Sequence, residues 1–235
     1  MRVLAFDTAT PATTVALSGF GAETLEARDD PEPGQRPGHA TRLLPLIASL
    51  LERTGADYGD LDRIAVGVGP GTFTGLRIGI ATARALASAA RLPLVGVPTL
   101  LALAEAAASA AAGECEVVVA VLDARRGEAF AAGWVPGAWR SVLAAGAYAP
   151  DVLGRAVSGL RARVLAAGDG AVKFREVLER AGAFVPADGS DLHRVTARVH
   201  THIAERLQAA DLDDVSPEYL RLPDAEMARR SAHTT

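Results

Sequence analysis

The chain has 235 residues, 49 % of them hydrophobic, and a formal net charge of -4. That is ample apolar material for one or two buried cores, while the broad basic field that would draw a protein to a phosphate backbone unaided is missing. Cys115 is the only cysteine, which excludes an internal disulfide and a cysteine-based zinc site and fits a reducing cytoplasm.

The opening MRVLAFDTAT places Asp7 where a secretory signal needs an unbroken apolar core, so no export is expected. VLAFDTAT, TTVALSGF and ETLEARD read as three strands joined by tight turns. The loop PEPGQRPG leads into HATRLLPLIASLLERTG, a helix whose Leu43, Leu44, Ile47, Leu50 and Leu51 recur at helical spacing. Pro45 is expected to leave its first turn ragged or kinked. Strand IAVGVG, helix LRIGIATARALASAA, strand LVGV and helix TLLALAEAAASAA follow. The apolar run 92–104 is broken by Pro93, Gly96 and Pro98 and is too short to span a bilayer.

The second half repeats the plan. VVVAVLDARRGEAFAAGWV is again an apolar strand ending in an acid, Asp123, then a turn and a second strand. Helical and strand signals alternate through VLAAGDGAVKFREVLERAG, AFVP and DLHRVTARVHTHIAERLQAA. The pattern predicts two α/β domains of common βββαβαβα design, 1–112 and 113–222, with a flexible tail over 223–235 containing Arg229 and Arg230. A return of the chain to the first domain at its end is left open.

The stretch GVGPGTFTGLRIGIATARALA has the outline of a phosphate loop entering a helix. A Walker loop needs a second glycine five residues on, followed by lysine; Gly71 is followed at that distance by Leu76, with no lysine. The third glycine of a dinucleotide fingerprint is absent as well. The helix itself carries Gly75, Gly79, Ala83 and Ala87 at every fourth position, a smooth side on which another helix can approach closely. With Leu76, Ile80 and Leu86 on its other sides, it is either sunk in a large core or shared with a partner chain. In a domain of about 100 residues the shared reading is favoured.

LAFDTATPATTVAL, HATRLLPLI, GPGTFTGLRIGIATARALA, VGVPTLLALAE, LDARRGEAF and SPEYLR, taken together and in order, resemble the bacterial TsaB (YeaZ) family; Val68 stands where many members carry arginine. The resemblance implies a two-domain fold of the actin, Hsp70 and sugar-kinase type. It also implies a non-catalytic, cytoplasmic subunit of the machinery that makes threonylcarbamoyladenosine beside the tRNA anticodon. The partners implied are the catalytic subunit TsaD and the ATPase TsaE, with ATP and metal used by those partners, tRNA met only through the complex, and a homodimer when the chain is alone. The pairing surface implied comprises His39, Leu43, Leu44, Ile47 and Leu51 on one helix and Phe73, Gly75, Leu76, Gly79, Ile80, Ala83 and Ala87 on the other.

Enzymes of this fold position a metal with an aspartate after the first strand and hold phosphates on Gly-Thr turns. Asp7, Thr8 and Thr10 occupy that turn without a glycine, and bulky Arg125 and Arg126 follow Asp123 in the matching turn. Gly168, Asp169 and Gly170 alone keep the outline of a loop beneath an adenosine, so the cleft reads as vestigial. Asp7 and Asp123 are more simply read as capping their own turns. The metal-binding His-x-x-x-His of the catalytic relatives aligns with Thr99 and Leu103, and no metal site is expected. His39, His193, His200, His202 and His233 lack ligand-spaced companions and read as packed or solvated. An independent ATPase or small-molecule kinase is the alternative, resting on Asp7 and GDGA.

Overall fold

The computed structural model describes residues 1–32, 34–111 and 113–221; the expected tail, 223–235, lies outside them. The first half forms β1 (Val3–Asp7), β2 (Thr13–Ser18), β3 (Leu25–Asp29), α1 (His39–Thr54), β4 (Arg63–Gly69), α2 (Phe73–Ala90), β5 (Leu94–Pro98) and α3 (Thr99–Ala110). The second forms β6 (Val117–Asp123), β7 (Ala129–Val135), β8 (Arg140–Tyr148), α4 (Pro150–Gly159), β9 (Val164–Ala167), α5 (Asp169–Lys173), α6 (Arg175–Arg180), β10 (Ala183–Phe184) and α7 (Ala197–Arg206).

Each half builds one five-stranded sheet, ordered β3-β2-β1-β4-β5 and β8-β7-β6-β9-β10. The order is the same in both, with the first strand central, antiparallel to the second and parallel to the fourth. Because β1 and β6 are covered on both faces, their sequences are continuous apolar runs rather than alternating ones. α1 runs unbroken through Pro45, which lies on its exposed side; the expected ragged start is not seen.

Helices α1 and α2 cover one face of the first sheet, where Leu43, Ile47, Ile80 and Ala83 pack against Leu4, Phe6 and Val66. The other face is covered from across the molecule. Ile203 and Ala204 of α7 pack on Val3, Ala5, Ala65 and Val95, while Leu100, Leu103 and Ala107 of α3 pack on Val118, Ala120 and Leu122 of β6. The halves thus exchange their last helices, and α3 and α7 touch each other between the sheets. The segment after α7 lies on the first half as far as Glu218: Ala210 pairs with Leu94, Arg84 donates to the carbonyls of Val215 and Asp213, and the Glu218 N–H donates to Val68 O at 2.7 Å. Residues 197–218 thus lie against the first sheet, so the described part of the expected second domain, 113–222, does not close on itself.

The partner-facing flank expected on α2 is also corrected. His39, Leu43, Ile47, Leu51, Gly75, Leu76, Gly79, Ile80, Ala83 and Ala87 are all buried within the chain. A Cβ at Gly75 would stand 2.0 Å from Thr8 O, and one at Gly79 would stand 2.3 Å from Thr8 Oγ1. The glycines let α2 close on the β1–β2 turn of its own domain, where any side chain would hold it off. Of the residues assigned to the pairing surface, Leu44 and Phe73 remain outside, 50 % and 42 % exposed, accompanied by Ala40, Pro45 and Ala48 on α1 and Ala81 and Ala85 on α2. No described helix is long and apolar enough to cross a membrane.

Candidate functional site

Asp7 ends the central strand and is wholly buried. Its Oδ1 accepts the Ala9 N–H at 2.7 Å, closing the turn that follows the strand. Its Oδ2 accepts the Thr99 hydroxyl at 2.7 Å from the start of α3 and faces His200 Nε2 at 2.9 Å on α7. Gly67 on β4 leaves the room for this, because a Cβ there would meet Oδ2 at 1.9 Å. The Nδ1 of His200 faces the carbonyl of Thr196 at 3.0 Å. Both ring nitrogens of His200 therefore face acceptors, a carboxylate on one side and a carbonyl on the other. Burial by itself pushes the Asp7 pKa up; the hydrogen bond and charge of His200, with the Ala9 N–H and the Thr99 hydroxyl, outweigh it and hold the carboxyl below its usual range. Both carboxylate oxygens are thus engaged by groups of its own chain.

The rest of the turn is equally committed. Thr8 is buried and donates to Gly75 O at 2.8 Å, and Thr10 is half-buried. Thr99, standing where a metal-binding histidine was sought, also accepts the Gly69 N–H at 3.2 Å; Leu103 lies in the core. His39 is buried beneath the N-terminus of α2 with Nδ1 2.8 Å from Thr13 Oγ1, and burial holds its pKa down.

In the second half Asp123 Oδ1 accepts the Arg125 N–H and the Lys173 ammonium, each at 2.8 Å. Asp169 Oδ1 accepts the Asp123 N–H at 3.0 Å, so these two acids and Lys173 form one cluster. Gly168 and Gly170 do not face an open loop: a Cβ on the first would meet Val121 O at 2.0 Å, and one on the second would meet the Leu122 carbonyl carbon at 2.7 Å. They allow close packing of α5 on β6. The turn-capping reading of Asp7 and Asp123 agrees with their geometry.

Two features lay beyond the sequence reading. His200 is a packed histidine, as expected, but with a carboxylate partner 193 residues away. Tyr219, in the SPEYLR segment, stacks on Phe73 with ring centroids 5.7 Å apart, and the Arg77 guanidinium lies 3.9 Å over the Phe73 ring. The outer face of α2 is thus edged by the returning chain, and Arg221 in the same segment reaches Ala124 O and Glu128 at the DARRGE turn.

Two sheets of identical order with exchanged helices define the α/β class of actin, Hsp70 and the sugar kinases. A ROK hexokinase from Thermus thermophilus, 13 % identical, superimposes with a TM-score of 0.50 over 88 % of this chain and all of its own, a likeness of fold alone. The chain belongs to the family described as TsaD, tRNA N6-adenosine threonylcarbamoyltransferase, whose sequence model matches residues 31–229. Within that group it is similar to YeaZ from Pseudomonas aeruginosa, at 27 % identity and a TM-score of 0.73 over 93 % of this chain and all of that one. It is also similar to the tRNA threonylcarbamoyladenosine biosynthesis protein TsaB of Escherichia coli (strain K12), 40 % identical over 73 residues. That match spans 31 % of this chain and 29 % of the relative.

Proposed function

We propose that this chain takes part in threonylcarbamoyladenosine formation on tRNA as a non-catalytic scaffold and activator. It pairs with a TsaD-like catalytic subunit and works with a TsaE-like ATPase. ATP and metal belong to those partners, and tRNA is met through the assembly. The observation that carries this reading is the state of Asp7. In enzymes of this fold the equivalent carboxylate positions a metal; here it is fully buried and both oxygens are engaged by groups from the turn after β1, α3 and α7.

The surface for pairing is the solvent side of α1 and α2 rather than their small-residue flank. Leu44, Pro45, Ala48, Ala81 and Ala85 lie together on one side of the first sheet, with Phe73 at the edge, an apolar strip of the kind that two further helices cover in a bundle. A second copy takes this face when the catalytic subunit is absent.

Reconstitution of the purified chain with the catalytic subunit, the ATPase and unmodified tRNA tests the proposal. Modification is expected only when the chain is present, and to fall with Leu44→Asp. Equal modification without the chain overturns it. So does micromolar binding of magnesium-ATP by the isolated chain that is lost on Asp7→Ala, which would restore the kinase or ATPase alternative.

A further inference from the structure

The outer side of α2 carries a charge that its surroundings do not answer. Phe73, Arg77, Ala81 and Ala85 are all exposed and fall at every fourth residue, so Arg77 stands inside the apolar strip, between Phe73 and Ala81. α2 contains no acidic residue. Arg84, its other arginine, is tied down, donating to two carbonyls and lying 3.9 Å from the Asp213 carboxylate. Arg77 has uncharged neighbours instead: its guanidinium lies over the Phe73 ring, and Nε faces the Tyr219 hydroxyl at 3.4 Å. Its Nη1 and Nη2 have no hydrogen-bond partner among the described residues. The carboxyl of Glu218, next to Tyr219, is pushed up by burial with no cation opposing it, so it does not neutralise Arg77. Tyr219 itself is held from both sides, since the Glu218 N–H donates to Val68 O, Leu220 packs on the second core and Arg221 donates to Ala124 O.

We propose that the stack of Phe73, Arg77 and Tyr219 anchors the pairing surface, and that it takes a carboxylate carried among the apolar residues of a helix of the catalytic subunit. The inference rests on the pairing face proposed above and names what that face selects. Two helices laid over the strip take the guanidinium out of water. A desolvated cation without an acceptor is costly, so the covering helix has to bring one, and a carboxylate matches the open Nη1 and Nη2 edge with two parallel hydrogen bonds. The two rings fix the plane of the guanidinium before docking, which leaves little side-chain freedom to lose on binding. Arginine and aromatic side chains in such settings are the ones that dominate interfaces. Ala81 and Ala85, further along the same side, let a helix backbone approach closely, whereas the stack is bulky. One fixed charge at the bulky end of an apolar strip therefore sets the register of the covering helix and rejects helices that lack an acid there.

The full chain is titrated against the purified catalytic subunit at several salt concentrations, as the parent and as Arg77→Gln, Arg77→Lys and Leu44→Asp. Arg77→Gln is expected to weaken binding at least tenfold and to flatten the dependence of Kd on salt. Arg77→Lys keeps the charge without the planar fork, so it is expected to restore the salt dependence but not the full affinity. The urea midpoint of Arg77→Gln is expected to match the parent, because the side chain is exposed, which separates a lost contact from a damaged fold. Parental affinity for Arg77→Gln with Leu44→Asp still weakened overturns the anchor and leaves the pairing face standing; parental affinity for both variants removes the face, and the anchor with it. A loss for Arg77→Gln with the salt dependence unchanged overturns the carboxylate. A loss seen only in self-association of the chain, followed by analytical ultracentrifugation, would mean that a second copy supplies the acid, and overturns the proposal as well.

Discussion

Replacing His200 by alanine tests the innermost contact of the molecule. Both side chains of the Asp7–His200 pair are fully buried, and they meet at 2.9 Å. The substitution leaves the carboxylate with the Ala9 N–H and the Thr99 hydroxyl but without its countercharge, and opens a space the size of an imidazole. Removing one partner of a buried ion pair costs about 3–5 kcal/mol, a large part of the roughly 5–15 kcal/mol that holds a typical folded protein. Urea unfolding followed by far-ultraviolet circular dichroism measures the loss. Tryptophan fluorescence is a second probe, because both tryptophans, Trp134 and Trp139, lie in the second half. The cycle with Asp7→Asn is the sharper measurement: the amide needs no countercharge, so the double variant is expected to be more stable than the sum of the two single losses allows, by about 2 kcal/mol or more. A loss under about 1 kcal/mol for His200→Ala, or strict additivity, would refute the assignment of an ionic contact there.

Further outcomes follow from the same geometry. Gly79→Ala forces a methyl to 2.3 Å from Thr8 Oγ1 and is expected to cost about 1–3 kcal/mol by thermal or urea unfolding; a neutral result would mean that α2 does not sit where it is described. Leu44→Asp changes an exposed position, so it is expected to stay within about 0.5 kcal/mol of the parent in stability while weakening capture by the catalytic subunit at least tenfold in a binding titration. The Asp7 carboxyl is held below its ordinary value of 3.8, so on acidification the unfolded chain takes up that proton first. The stability due to Asp7 is therefore complete above the ordinary value and disappears as pH falls toward and below the lowered one. Urea unfolding between pH 5 and 2 is expected to show an acid slope that Asp7→Asn reduces.

Much of the architecture is legible from patterning. Continuous apolar strands ending in Asp7 and Asp123, with helix and strand signals alternating after them, mark two halves of one design. β8 does not stand out individually, because RSVLAAGAY is half small residues and exposed in part, so no alternation marks it. Periodicity does not resolve which way the α2 flank faces. A stripe of glycine and alanine at every fourth position announces a close approach, and a helix lying on its own sheet needs one as much as a helix meeting a partner does. The outward residues, Phe73, Ala81 and Ala85, are unremarkable in sequence. The environment of Asp7 was half visible: its turn follows from the DTAT pattern, whereas His200 reaches it only because α7 crosses to the first sheet.

That crossing governs how the molecule comes apart. A polypeptide ending at residue 110 would make β1 to β5 and present Val3, Ala5, Ala65 and Val95 to water with no α7 to lie on them, while its α3 would dangle a leucine-rich surface meant for β6. The complementary piece would have the mirror-image deficit. Expressed together, the two fragments are each other's missing layer, which makes this chain a natural candidate for a split reporter whose reassembly is read out by restoration of the fold.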